Sequence, residues 1–292
     1  MYPRPFEYTR AETVTDAIEA LNAAAGDARP IAGGQSLVPM MSMGLASPDL
    51  LVDIGRLPLS GMERTNGTVR LGALTRHREL ERSGEIAAQL PLAADAARFI
   101  GNPRVRNRGT LGGSLSHADP ASELGAVALV HGGRAIVAGR DGERPVALDD
   151  FFHGFFATAV EPGELLTRVE LDLPPAGSGH GFVEIASRAD DFATAAAAAV
   201  VTLDDGATNC ADARLALAGV GDRPIRLEGA EELCAGRALD EELLSAVART
   251  VAESVTPEDD PFVSAEYRAR AAGACAERAL AAAWKRARGE LS

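Results

Sequence analysis

One lysine, Lys285, stands among the 29 basic residues of this chain, so nearly all of its positive charge is arginine. A Walker A phosphate loop needs a lysine between glycine and serine or threonine, and Lys285 lies in Trp284-Lys285-Arg286, which excludes a P-loop nucleotidase. Cysteine is also scarce. Cys210, Cys234 and Cys275 are odd in number and far apart, a pattern that fits neither a disulfide framework nor a zinc or iron–sulfur ligand set. They read as free thiols in a reducing compartment. The longest apolar run, Ala195 to Val201, is far too short to cross a bilayer, and Met1-Tyr2-Pro3-Arg4-Pro5-Phe6 lacks the apolar stretch of a secretory signal. Cytoplasmic location without membrane insertion is therefore expected. A formal net charge of -13 argues against sequence-independent affinity for nucleic acid or anionic lipid. A standard Rossmann fingerprint is missing as well, because Gly219-Val220-Gly221-Asp222-Arg223-Pro224 begins the pattern and ends it with proline.

What remains is enough for a sizeable core, with 46% hydrophobic residues in a chain of 292. Thr13 to Ala25 puts Val14, Ala17, Ile18 and Leu21 on one helical face, and Gly26-Asp27 stops it. Arg29 to Ala32, Leu50 to Ile54 and Val69 to Ala73 read as strands, with Asn66-Gly67 a turn leading into the third. A helix starting at Ser36 is weakened by Pro39 and Gly44. Thr75 to Arg82 and Leu90 to Phe99 read as helices, whereas Leu124 to Val130 fits either a helix or a buried strand. Arg134 to Ala138, Arg144 to Leu148 and Leu166 to Leu171 alternate as strands of a half-exposed sheet.

Leu173-Pro174-Pro175-Ala176-Gly177-Ser178-Gly179 is the best boundary in the sequence, dividing it into residues 1–176, with subparts of about 1–60 and 61–176, and residues 177–292. Beyond it, Gly181 to Ser187, Ala195 to Leu203 and Ala213 to Val220 suggest an antiparallel meander, although the alanine-heavy middle segment also fits a helix. Glu232 to Cys234, Glu241 to Ser254 and Ala265 to Arg288 are helical patterns, so the fold class expected is α+β, with helices packed on a small sheet in the last third.

Two glycine-rich stretches carry the chemistry. Ile31-Ala32-Gly33-Gly34-Gln35-Ser36-Leu37 and Arg108-Gly109-Thr110-Leu111-Gly112-Gly113-Ser114 each follow a Gly-Gly pair with a small hydroxyl side chain. Such a backbone turns sharply and presents its N–H groups to an anion. One stretch alone reads equally as a tight turn; two suit a clamp on a diphosphate. The second follows a basic run, Arg104 to Arg108, and leads into Ser114 to Glu123, rich in hydrogen-bonding groups.

These stretches resemble the flavoprotein subunit of the molybdenum hydroxylases, the group containing carbon monoxide dehydrogenase, nicotine dehydrogenase and xanthine dehydrogenase. The resemblance rests on Ala32 to Ser36, Gly101 to Gly113 and Asp119-Pro120-Ala121-Ser122-Glu123. It continues through Asp150-Phe151-Phe152-His153-Gly154, Gly163 to Leu166, Ser187 to Ala193 and Ser264-Ala265-Glu266-Tyr267-Arg268, and so covers nearly the whole chain.

The resemblance implies a two-part FAD-binding domain of the vanillyl-alcohol oxidase (PCMH) type, followed by a smaller C-terminal domain of antiparallel sheet and helices. It places FAD between the two parts. Arg29, Pro30, Ile31, Ala32, Gly33, Gly34, Gln35, Ser36 and Leu37 would line the pyrophosphate and ribityl side, and Ile100, Gly101 and Val105 the adenine half. Thr110, Gly112, Gly113, Ser114 and His117 would complete the cradle. Ser122 and Glu123 would reach polar atoms of the cofactor, and Leu165 and Leu166 would give apolar contact. Glu184 stands roughly where some members carry a lysine near the flavin ring; unless neutralised, for example by Arg188, it would oppose negative charge there. A solvated surface carboxylate is the competing reading of Glu184. His117 and His153 read as loop histidines bonded to backbone, and neither a catalytic residue nor a metal ligand is assigned.

The implied role is electron transfer. The FAD of this subunit would receive electrons from the [2Fe–2S] clusters of a small subunit, supplied by a large molybdopterin subunit, and pass them to an external acceptor. A stand-alone FAD-dependent oxidase or reductase is the alternative, and a docking subunit that has lost its flavin is a third reading.

Overall fold

Thr13 closes the first irregular stretch by capping a helix: its hydroxyl accepts from the Asp16 N–H at 3.0 Å while the Asp16 carboxylate accepts from the Thr13 N–H at 2.9 Å. This is a computed structural model, and it describes residues 3 to 291; the first two residues of the N-terminal stretch read above lie outside it. Strand β1 (Glu7–Arg10), helix α1 (Val14–Ala23), β2 (Ala28–Ile31), α2 (Leu37–Met43) and β3 (Leu50–Asp53) form the first part. Its three strands are parallel in the order β1-β3-β2, as two helical crossovers require. Pro39 does not prevent α2, because it lies in the first turn, where its missing N–H has no helical acceptor in any case. Gly44 ends the helix in the left-handed conformation, φ 78°.

The second part begins with a hairpin, β4 (Met62–Thr65) and β5 (Thr68–Gly72), turned by Asn66 at φ 38° and Gly67 at φ 86°. Six short helices follow: α3 (His77–Arg82), α4 (Gly84–Gln89), α5 (Pro91–Ala97), α6 (Pro103–Arg108), α7 (Leu111–His117) and α8 (Glu123–His131). Then come β6 (Gly133–Gly139), β7 (Gly142–Ala147), the small hairpin β8 (Phe152–Gly154) and β9 (Ala157–Thr158), and β10 (Leu165–Asp172). The sheet runs β4-β5-β10-β6-β7, antiparallel throughout. Leu124 to Val130 proves to be helix. Every residue of α8 is buried, since α5 lies against it on one side and the strands Ala193–Leu203 and Cys210–Ala218 on the other, which is why it shows no polar face.

In the last third, β11 (Gly179–Ala186), β12 (Ala193–Leu203), β13 (Cys210–Ala218) and β14 (Ile225–Arg226) form an antiparallel meander in chain order. Helices α9 (Glu228–Cys234), α10 (Glu241–Ser254) and α11 (Ala265–Ala287) cover one face. The alanine run is a strand because both its faces are buried: Ala195, Ala197 and Ala199 face α11, whereas Ala196, Ala198 and Val200 join the core around α5 and α8. Small residues let the layers close up. A Cβ on Gly181 would collide with the backbone of Ala279, so α11 lies directly on β11.

The other face of this meander is clasped to the second part by polar contacts. Asp95 on α5 accepts from His180 Nε2 at 3.3 Å and pairs with Arg286 at 3.4 Å, and Phe99 packs on Phe182 with ring centroids 5.2 Å apart. Arg214 on β13 donates to the carbonyls of Val130 and His131 at the C-terminus of α8.

Candidate functional site

Ile31 ends β2, and the chain must then turn away from the parallel sheet before α2 can begin. Gly33-Gly34 makes that turn, with Gly34 at φ 71°, where a side chain is strained. Among the described residues, no protein acceptor takes the N–H of Gly33, Gly34, Gln35 or Ser36, while the Gln35 side chain folds back onto the Gly33 carbonyl at 3.1 Å. Gly33 is buried and Gly34 to Leu37 are half-buried. Four successive unpaired amides in a half-buried turn make a ready anion site. Ser36 precedes α2 without capping it, which leaves its hydroxyl available too.

The second glycine stretch is built differently. It is a helix start rather than a loop: Thr110 caps α7 by accepting from the Gly113 N–H at 3.1 Å. The N–H of Leu111 donates to Thr75 O at 2.9 Å, that of Gly112 to Ala73 O at 2.8 Å and that of Ser114 to Thr110 O at 3.0 Å. Two of its amides are therefore spent on anchoring the segment to the connection between β5 and α3, and two on Thr110 at the helix start itself. Gly112 is glycine because its α-carbon abuts Ala73, which a Cβ would meet at 2.5 Å.

The two stretches touch. A Cβ on Gly33 would overlap the carbonyl oxygen of Arg108, and Gly109 lies beside it. Arg76 donates from its guanidinium to the same Arg108 carbonyl, and a bridge between Arg76 and Thr110 holds the strand-like stretch in place. His77 is packed beneath Gly109, and burial lowers its pKa to about 4, so it is neutral near pH 7. Arg76 and His77 were not singled out from the sequence. Their role depends on a contact between positions far apart in the chain, for which no local signal exists.

From Ser114 the site continues across α7 to the start of α8. The hydroxyls of Ser114 and Ser122 lie 2.8 Å apart, and Ser122 N–H donates to Asp119 O at 2.9 Å. Glu123, in the first turn of α8, is buried and has its pKa raised to about 7, chiefly by burial. Glu184 on β11 is also partly buried rather than a solvated surface group, with Oε2 sealed from water and unpaired. Burial first, and the Glu123 charge second, push it up to about 8. Arg188 does not neutralise it: that side chain is exposed and faces Asp191 at 3.7 Å.

The remaining residues named from the sequence are spread over several elements. Arg29 and Pro30 are exposed on β2, with Arg29 paired to Asp27 at 2.8 Å. Ile100 and Gly101 form the turn into α6, where both carbonyls accept from the buried Arg106, and Gly101 packs on Val105. Leu165 and Leu166 are buried on β10, the first in the core of the N-terminal part and the second in the core of the central sheet. His117 packs on Phe156 with ring centroids 5.0 Å apart, and burial lowers its pKa. His153 is exposed and lies 3.2 Å from Asp150 O.

A turn of free amides closed against a capped helix, with hydroxyls beyond it, offers the donors that a diphosphate needs. Residues 4–174 match the family described as FAD binding domain in molybdopterin dehydrogenase, and residues 180–283 match the CO dehydrogenase flavoprotein C-terminal domain. The chain is 39% identical over 289 residues to the 6-hydroxypseudooxynicotine dehydrogenase complex subunit alpha of Paenarthrobacter nicotinovorans, covering 99% of this chain and 97% of that protein. It is 37% identical to the carbon monoxide dehydrogenase medium chain of Afipia carboxidovorans, covering 99% and 100% respectively. Among solved structures, carbon monoxide dehydrogenase from Hydrogenophaga pseudoflava superposes with a TM-score of 0.94 at 36% identity, covering 98% of this chain and 99% of that one. The chain belongs to the family of FAD-binding medium subunits of the molybdenum hydroxylases, oxidoreductases of the carbon monoxide and xanthine dehydrogenase kind. Its cofactor is FAD. The residues present fit that group, since a pyrophosphate bridge needs oriented donors and the Gly33 to Ser36 turn offers four unpaired amides.

Proposed function

We propose that the chain is the electron-transfer subunit of a molybdopterin-dependent hydroxylase or dehydrogenase, receiving electrons from the [2Fe–2S] clusters of a small subunit and delivering them to an external acceptor. The observation that carries this reading is that the chain aligns end to end with the medium chain of one such dehydrogenase. FAD, when bound, supplies a carrier that takes electrons singly or in pairs. The chain's own residues then have three tasks. The amides of Gly33 to Ser36 bind the diphosphate, the capped helix at Thr110 and Gly113 closes the cradle over it, and Ser114, Ser122 and Glu123 orient the polar half of the cofactor. Ile100, Gly101, Val105, Leu165 and Leu166 complete its apolar surroundings. This reading divides the chain into an FAD-binding domain of residues 1–176 and a C-terminal domain of residues 177–292.

Expression with neighbouring genes tests it. A yellow protein that releases FAD on denaturation and copurifies with an iron–sulfur chain and a molybdopterin chain agrees with the proposal. A free monomer or homodimer that turns over its own substrate would instead establish the stand-alone flavoenzyme.

A further inference from the structure

The hairpin of β8 and β9 turns on two residues, Phe155 and Phe156, because Gly154 pairs with Ala157. Phe156 takes φ 52°, a left-handed backbone at the second turn position, where glycine is the residue that fits without strain. A bulky side chain there is an outlier. Neither ring offsets that strain by burial in the core, since Phe155 is 60% exposed and Phe156 54%. The hairpin is nonetheless firmly rooted: Phe152 is buried in the central core, packs edge to face against Phe151, and Ala159 N–H donates to Phe151 O at 2.9 Å. A strained residue on a rigid base is the pattern of a side chain kept for a contact.

The position of Phe156 ties it to the cradle. Its ring packs on His117, the last residue of α7, with centroids 5.0 Å apart and planes inclined by 37°. Helix α7 is the one whose entry closes on the first glycine turn, with Thr110 as its cap and Arg108 and Gly109 against Gly33. Leu111, Gly112 and Leu115 are buried, so the open side of the helix carries Gly113, Ser114 and, three residues further on, His117. Seven helical residues put His117 about 10 Å beyond the start of α7. Ser114, its hydroxyl 2.8 Å from that of Ser122, comes midway. The order of amides, then hydroxyls, then an aromatic pair matches that of a diphosphate, a polyhydroxylated ribityl chain and a flat ring.

We propose that Phe156, backed by His117, is the platform on which the isoalloxazine ring of FAD lies. The inference rests on the Gly33 to Ser36 turn holding the diphosphate. A phenyl ring suits a flat heterocycle, because an offset stack buries a face of each and needs no charged partner. Glycine at position 156 would relax the turn and remove the platform, so ease of the backbone and contact with the cofactor are opposed at this one residue.

The test titrates the flavin-stripped full chain with FAD and with ADP, which carries the diphosphate and adenosine but no flavin ring. Phe156→Gly accepts the left-handed backbone and so deletes the ring without straining the hairpin. Its affinity for FAD should fall by roughly two- to thirteenfold, while its affinity for ADP stays that of the wild type. Phe156→Trp should shift the visible absorption of bound FAD and lower its fluorescence several-fold. Phe6→Trp, just before β1 at the end of the parallel sheet remote from the Gly33 turn, should do neither. Unchanged FAD affinity in F156G overturns the proposal, as does an equal loss of ADP affinity or a wild-type flavin spectrum in F156W. A wild type that binds neither FAD nor ADP overturns the cradle itself, and the platform with it.

Discussion

The α-carbon of Gly33 stands against the carbonyl oxygen of Arg108 with no space for a side chain between them, so the turn after β2 and the entry to α7 are fitted to each other. A branched residue at Gly33 must push the two apart. Overpacking of this kind costs about 1–3 kcal/mol, so Gly33→Val should weaken FAD binding by roughly five- to 150-fold. The purified variant should be depleted of flavin, as read by visible absorbance and by FAD released on heating. Gly229→Ala, where an added Cβ meets nothing within 4 Å, serves as the control and should keep its flavin. Full flavin content in G33V would show that the apposition is not needed for the cradle.

Much of this arrangement was legible in the sequence, and the rest has physical reasons for being hidden. Gly33-Gly34 and Thr110 to Ser114 announce themselves because only glycine tolerates such close approach and positive φ. That the first stretch keeps its amides free while the second spends them on Ala73, Thr75 and Thr110 depends on tertiary partners that no local pattern encodes. Strand β4 and helices α4 and α6 were not anticipated: each is only 4 to 6 residues long, too short to show a period. The alanine run was ambiguous because alanine fits both periods. Its choice of strand is set by burial on both faces, and the same burial converts Glu184 from an apparent surface carboxylate into a partly buried one.

Asp95 joins α5 to both β11 and α11, and its carboxyl lies below the usual range chiefly because His180 donates to it, with the Arg286 and Arg98 charges adding to the effect. Removing the charge leaves Arg286 without its carboxylate in a half-buried seam. A lost hydrogen bond to a charged group is worth about 1.5–3 kcal/mol, and Asp95→Asn should destabilise the fold by an amount within that range in urea unfolding. The contribution belongs to a depressed carboxyl. It is therefore present above the unfolded pKa and lost as pH falls towards the folded one, so the deficit of D95N should shrink in acid. An equal deficit at all pH values would show that packing, not the ion pair, is responsible.

The three thiols supply a separate check on the meander and its helices. Cys210, Cys234 and Cys275 are fully enclosed, and burial raises their pKa values to about 12, 11 and 12. Thiolate is the reactive form, so a maleimide or iodoacetamide reagent near neutral pH should modify none of them in the native chain and all of them after unfolding. Rapid labelling of Cys275 in the folded protein would mean that α11 separates from β11.

His131 is wholly buried at the end of α8, with Nδ1 3.0 Å from Asp172 O and Nε2 unpaired, and burial lowers its pKa from 6.5 to about 4. A histidine whose folded pKa is depressed binds its proton more readily in the unfolded chain. Its contribution to stability is therefore intact above pH 6.5 and is lost as pH falls towards 4. At 1.36 kcal/mol per unit this loss is on the order of 3 kcal/mol. His131→Gln has nothing to titrate in that window, so the stability of the wild type minus that of the variant, measured by denaturant unfolding, should decline by about that much between the two pH values. A constant difference would mean that the ring gains access to water or to a partner when protonated, and that the contact of α8 with β13 through Arg214 opens more readily than its hydrogen bonds to Val130 and His131 imply.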